Sequence, residues 1–162
     1  ATTYVELFRG TPVLLQLYVL YYGLAGVLKL DALAAAVLGL GLNYAAYESE
    51  VYRAGVLAVP RGQMEAALAL GMHTRLALRR VVMPQAFRVA LPGVTNDFIA
   101  LLKDSSLVSV ISVVELTKRM TIVAVDVRSW LLPGALCALL YLALSYPLSR
   151  LARRLEARLE RG

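Results

Sequence analysis

One cysteine and one histidine are all that this 162-residue chain offers for soft metal ligation or nucleophilic pairing. Cys137 lies in an uncharged run, so neither a disulfide framework nor a thiolate metal site can be built from it. His73 has no second ligand near it in the sequence and reads as a solvated loop residue; no metal site is expected. The phosphate-cradling pattern GxxxxGK[ST] is missing, and with it a direct route to nucleotide binding. A serine–histidine pair is missing too, since the serine before His73 is the distant Ser49, and no catalytic residue is assigned. There is no repeat at a solenoid period and no low-complexity tract. The opening "ATTYVELFRGTP" has no initiator Met, no apolar signal core and no cleavage site; it is expected to be a polar connector.

Charge is also lacking over long stretches. Pro12 to Leu28, Ala32 to Tyr47 and Ser129 to Ser149 carry none in 17, 16 and 21 residues, against the ~20 apolar residues that cross a bilayer. With 59% of residues apolar, above the roughly 45–50% of a soluble domain, the composition predicts an all-α, polytopic membrane helix bundle in a single domain. Spans are expected at about 12–28, 32–52, 88–114 and 129–149. The third contains Asp97, Lys103 and Asp104, so it is expected to turn a polar face inward. A soluble helical bundle would accommodate those charges but not the 21 uncharged residues before Arg150.

The net charge of +6 points to topology rather than to nucleic acid, because no basic face is interleaved with aromatics. With the loop around residues 53–88 in the cytoplasm, its coupling part at 57–84, twelve basic residues lie inside (Arg9, Arg53, Arg61, Arg75, Arg79, Arg80, Arg88 and five arginines after Leu148). Four (Lys29, Lys118, Arg119, Arg128) lie outside, and the excess selects this orientation. Leu148, Leu151, Leu155 and Leu159 recur at helical spacing among arginines, predicting an amphipathic helix over 150–160 on the inner membrane surface.

Two polar groupings stand out. On the second span, Asn43, Tyr47 and Glu50 share one helical face within about 60°; Glu48 lies off it and reads as solvated. Small residues Gly39, Gly41, Ala45 and Ala46 permit close helix approach there. On the third span, Asp97 and Asp104 lie about 20° apart on the helical wheel with Leu101 between them. Such carboxylates need cations or donors: a bound ligand, or internal partners such as Arg53 for Asp97 and Lys103 of a second copy for Asp104.

Between these spans, "GQMEAALALGMHTRLALRRVVMP" predicts two short helices at an angle, broken near Gly71 and stopped at Pro84. Glu65 to Gly71 offers an apolar side of Ala66, Ala67 and Leu70 that suits a groove in a partner, and Gly71 permits the turn behind it.

The spacing of EAA, three residues, Gly, nine residues, then Val81, Met83 and Pro84 resembles the cytoplasmic EAA loop in permease subunits of binding-protein-dependent ABC importers. Nearly the whole chain is similar to the polar amino acid uptake branch, through "YVELFRGTPVLLQLY", "LNYAAYESEVYRAG", "VPRGQMEAALALG", "KDSSLVSVI" and "YPLSRLARRLE". That family ordinarily has one further membrane helix before this point, which this sequence lacks. The resemblance implies a multi-pass bacterial inner-membrane protein working by alternating access, without a cofactor of its own. ATP would be bound and hydrolysed by separate ATP-binding cassette subunits docked through Glu65, Ala66, Ala67, Leu70, Gly71 and Pro84. Other implied partners are an extracytoplasmic solute-binding protein, a second permease copy or paralogue, the lipid bilayer and a polar amino acid, but no nucleic acid. Asp97, Leu101, Asp104, Asn43 and Tyr47 would hold the substrate. A membrane receptor subunit that docks an ATPase without forming a passage is the alternative.

Overall fold

The computed structural model describes residues 2–159, which form helices joined by short links. The segment expected to be a connector is helix α1, Thr2–Gly10. It lies against α4, Ala32–Ala58, where the Tyr4 hydroxyl donates to the Leu42 carbonyl at 2.5 Å. The chain then runs through α2 (Val13–Tyr18), a π-helical turn over Val19–Gly23 and the short α3 (Ala25–Leu28). Asp31 starts α4 as an N-cap, its side chain accepting from Ala34 N at 2.6 Å. The helix stops at Val59, held extended (φ −70°, ψ 125°) by the crowding that Pro60 imposes on the residue before it.

α5 covers Arg61–Ala69 and ends in a Schellman turn. Gly71 sits at φ 82°, Met72 N donates to Ala67 O at 3.1 Å and Gly71 N donates to Leu68 O at 2.9 Å. His73 then caps α6, Thr74–Ala77, its Nδ1 accepting from Leu76 N at 3.2 Å. The break at Gly71 and the pair of angled short helices are as expected. Pro84, however, is not a stop. A π-helical turn over Leu78–Val82 leads directly into α7, Met83–Asp104. Pro84 lies at the start of α7 immediately after the π-helical turn, whose widened hydrogen-bond register lets the helix run on past a residue without an N–H.

The expected third span also differs. Its α-helix begins at Met83, ends at Asp104, and passes into a 3₁₀ helix over Ser105–Ile111. A helix absent from the sequence reading follows, α8 over Leu116–Asp126. Its N-cap Glu115 accepts from Thr117 N and Lys118 N at 2.7 and 2.6 Å, and from the Tyr141 hydroxyl at 3.0 Å. α9 then runs unbroken over Leu131–Leu159. The segment expected as a separate amphipathic helix therefore continues the last apolar helix, with Pro147 tolerated inside it; residue 160, the end of that expectation, lies outside the described residues.

Two of the contacts that hold the bundle centre on α4, and α9 packs against α7 and α8. An apolar cluster of Leu17, Ala35, Ala36, Val108 and Ile111 joins α2, the start of α4 and the 3₁₀ helix. Further along, α4 and α7 touch backbone to backbone. A Cβ on Gly55 would stand 2.7 Å from the Ala86 carbonyl, and one on Gly93 would stand 2.7 Å from Val51 Cγ1. Of the small residues singled out on α4, Gly39 and Ala46 are buried, Gly39 beneath Leu17. Gly41 and Ala45 face outward. Among the described residues one helix, Leu131–Leu155, is long and apolar enough to cross a membrane. Many of its apolar side chains stand out from the bundle, Leu131 being 84% exposed, while Cys137 and Ala152 on its other side are buried.

Candidate functional site

The close α4–α7 crossing leaves a gap further along the same helices, roofed by the end of α1. This cavity of about 490 Å³ is lined by Arg9 to Val13, by Asn43, Tyr44 and Tyr47 of α4, and by Asp97, Ala100 and Asp104 of α7. Its volume falls within the roughly 300–1,000 Å³ of small-molecule sites. Four of the five residues singled out for a ligand thus meet around one space. Leu101 does not line it. It and Ala100 lie about 50° to either side of the Asp97–Asp104 direction on an α-helix, and it is Ala100 that lines the gap with α4.

The two carboxylates are held differently. Asp104 Oδ2 accepts a 2.8 Å hydrogen bond from the Tyr44 hydroxyl. Asp97 Oδ2 is buried with no hydrogen-bond partner, which leaves its desolvation uncompensated among the described residues. The internal pairing considered for it does not form, because Arg53 clasps Glu50 instead, with Nε 3.1 Å from both Glu50 oxygens and Nη2 closing the fork. Glu48, read as solvated, is half-buried and has an unpartnered oxygen, Oε2.

Asn43 is 5% exposed, and its amide is already committed. Nδ2 donates to the Phe8 carbonyl at 3.0 Å and to Gln16 Oε1 at 3.1 Å. It ties α1 and α2 to α4 while its flank lines the cavity. Tyr47 presents its ring face to Arg9, whose guanidinium carbon lies 5.2 Å from the ring centroid. Two ionisable lining residues escaped the sequence reading. Tyr44 lies one position beyond Asn43 and was passed over as part of an apolar run; Arg9 was counted only as a topology charge.

At the far end of α7, the segment meant for a partner divides its residues. Ala67 is 3% exposed and faces its own chain, while Glu65, Ala66 and Leu70 face outward, Leu70 at 81%. The apolar side expected to dock is therefore Ala66 and Leu70, one turn apart, and Ala67 anchors α5 instead. Gln63 of α5 and Gln85 of α7 are joined by a 3.3 Å hydrogen bond between Gln85 Nε2 and Gln63 Oε1.

An exposed loop helix hydrogen-bonded to the start of a cavity-lining helix, beside an apolar membrane-length helix, makes a helical bundle of membrane type. Residues 1–161 match the model of the family described as binding-protein-dependent transport system inner membrane component. The chain belongs to that family. It is 41% identical to the probable amino-acid ABC transporter permease protein PatM of Vibrio harveyi over 98% of this chain and 73% of that one. It is also 41% identical to the L-cystine transport system permease protein TcyB of Bacillus subtilis, over 99% and 69% respectively. A crystal structure of an amino acid ABC transporter with histidines superposes at a TM-score of 0.92 and 39% identity, covering 97% of this chain and 74% of that one. The MetNI methionine ABC transporter shares the fold alone, at a TM-score of 0.72 and 19% identity.

Proposed function

We propose that this chain is the membrane-spanning subunit of an ATP-driven importer of polar amino acids, and that the α1–α4–α7 cavity is where the solute pauses. One observation carries the reading: Asp97, Asp104 and Arg9 line the same cavity, so opposite charges face a space of ligand size. A carboxylate at membrane depth costs ~2.5–3.5 kcal/mol on insertion scales, and a transported cation offsets that cost. The names of the similar proteins, which concern amino acids and cystine, support the solute class.

In this reading the segment 12–28 (α2, the π-helical turn and α3), α4, α7 and α9 cross the bacterial inner membrane, and a second copy or a related permease completes the passage. ATP-binding cassette subunits seat on Glu65, Ala66 and Leu70, with Gly71 and Pro84 shaping the turn and the helix start behind them. A solute-binding protein delivers from outside. ATP stays on the partner, so this chain carries no cofactor. Its part is mechanical: α5 of the docking segment is tied to the start of α7 by the Gln85–Gln63 hydrogen bond and α7 runs on to Asp104, so displacing the loop end tilts the cavity wall, and the nucleotide state shifts the population between the two accesses.

Liposomes holding the permease and its ATPase, with the neighbouring binding protein added, test this over a panel of amino acids. ATP-dependent accumulation of a polar amino acid is expected. ATP hydrolysis without accumulation of any amino acid would leave the non-transporting receptor reading in its place.

A further inference from the structure

Arg9 is the cation of the cavity wall, and its present contacts are weak. Its guanidinium lies 3.8 Å from Glu50 Oε2, an oxygen that Arg53 already engages. Its other contact is the Tyr47 ring, 5.2 Å away. The side chain is 44% exposed, and it donates no hydrogen bond to a described residue. A half-exposed pair at that distance contributes little, so the planar fork of donors is available to a second acceptor. On the α7 side of the same cavity, Asp97 Oδ2 is buried without a donor. Two complementary, unsatisfied groups thus face one space from opposite walls.

We propose that Arg9 is a specificity-determining residue that receives the α-carboxylate of the solute, while the acidic wall of α7 receives its cationic end. This rests on the cavity being the solute site. The pairing selects zwitterions: a ligand with only the cationic end satisfies Asp97 and leaves Arg9 on Tyr47. Guanidinium–carboxylate pairing is bidentate and planar, which a lysine reproduces only in charge. The position of Arg9 follows from local structure. Gly10 ends α1 and Pro12 precedes α2, so the chain turns immediately after Arg9 and carries it to the cavity edge.

The test is equilibrium binding to the purified permease–ATPase complex without the binding protein, whose own selectivity would otherwise dominate. The probes are L-arginine and agmatine, which keeps both cationic groups of arginine and lacks only the carboxylate. The wild-type complex is expected to prefer L-arginine by roughly tenfold or more, the scale of one charge-assisted hydrogen bond. Arg9→Gln should abolish that preference by weakening L-arginine alone, and Arg9→Lys should restore part of it. Equal weakening of both probes by Arg9→Gln would mean that Arg9 merely supports the fold, and an unchanged preference would place the carboxylate elsewhere; either result overturns the assignment. If neither probe binds the wild-type complex and none of the panel amino acids accumulates in liposomes, the cavity itself is misread and the clamp falls with it.

Discussion

The Tyr44 hydroxyl and Asp104 Oδ2 meet at 2.8 Å although sixty residues separate them in sequence, and this bond joins the α4 and α7 walls of the cavity. Replacing Asp104 with Asn keeps an acceptor for Tyr44 and removes the charge. Asp104→Asn is therefore expected to keep its melting temperature within a few degrees while losing substrate-stimulated ATP hydrolysis. Asp97→Asn should do the same more weakly. Tyr44→Phe strips Asp104 of its donor and should cost about 1–3 kcal/mol, the penalty of an unsatisfied half-buried acceptor. Melting curves and uptake on the same three variants decide it. If Asp104→Asn melts early, or remains stable and transports at the wild-type rate, the carboxylate is not a solute ligand.

Helix approach gives a second expectation. At Gly55 a side chain would meet the Ala86 carbonyl at 2.7 Å and Ala90 Cβ at 3.0 Å. Backbone cannot rotate away as a side chain can, so Gly55→Ala should destabilise by about 1–3 kcal/mol, the range for overpacking. Gly41, with nothing within 4 Å, is the control. Gly41→Ala removes only backbone freedom and should be neutral or stabilise by about 0.5–1 kcal/mol. Thermal unfolding of the two variants in one detergent compares them; equal melting temperatures would show that the crossing is looser than these distances.

How far this bundle was legible follows from what each signal depends on. The wheel positions of Asp97 and Asp104 were readable because helical periodicity is local, as was the turn at Gly71, which needs only a residue tolerant of φ 82°. Arg9 and Tyr44 were not, since their presence at the cavity depends on how α1 and α4 lie against α7. Pro84 and the 150–160 segment failed for a related reason. A proline can end a helix or be carried within one, as Pro92 and Pro147 are here, and leucines spaced for an amphipathic surface helix also extend a preceding one. Which case holds is decided by the neighbouring helix, not by the residue.

The docking segment gives a third prediction. Leu70 is 81% exposed and Ala67 3%, so Leu70 is free to meet a partner while Ala67 serves the fold. Leu70→Ser should leave folding within about 0.5 kcal/mol, as surface changes do, while weakening capture of the ATPase subunits. Gly71→Asp puts a Cβ and a charge at the left-handed turn, a strain of at most about 1–2 kcal/mol because aspartate visits that region, and should abolish assembly while leaving membrane insertion intact. Co-purification of the ATPase with each variant is the readout. Normal co-purification and transport by Gly71→Asp would remove this segment from the interface.

The last prediction concerns what moves. Val51 and Gly93 face each other where α4 crosses α7; a Cβ on Gly93 would stand 3.7 Å from Val51 Cβ, inside the roughly 3.5–4.5 Å a disulfide spans. In a Cys137→Ser background, the double variant Val51→Cys, Gly93→Cys should therefore oxidise readily. Both helices wall the same cavity, and at Gly55 and Gly93 their surfaces leave no room to slide. A rigid pair tilting as one body, with α1 and α2 shifting against it, changes access without altering this crossing. The oxidised protein should accordingly retain at least half of the uptake of its reduced form, a tolerance that allows for some lost flexibility. If oxidation completes, as judged by thiol labelling, and uptake stops until a reductant is added, α4 and α7 must part or slide during the cycle. The opening would then lie between the walls that carry Tyr44 and Asp104, and their 2.8 Å bond would be one that each turnover breaks.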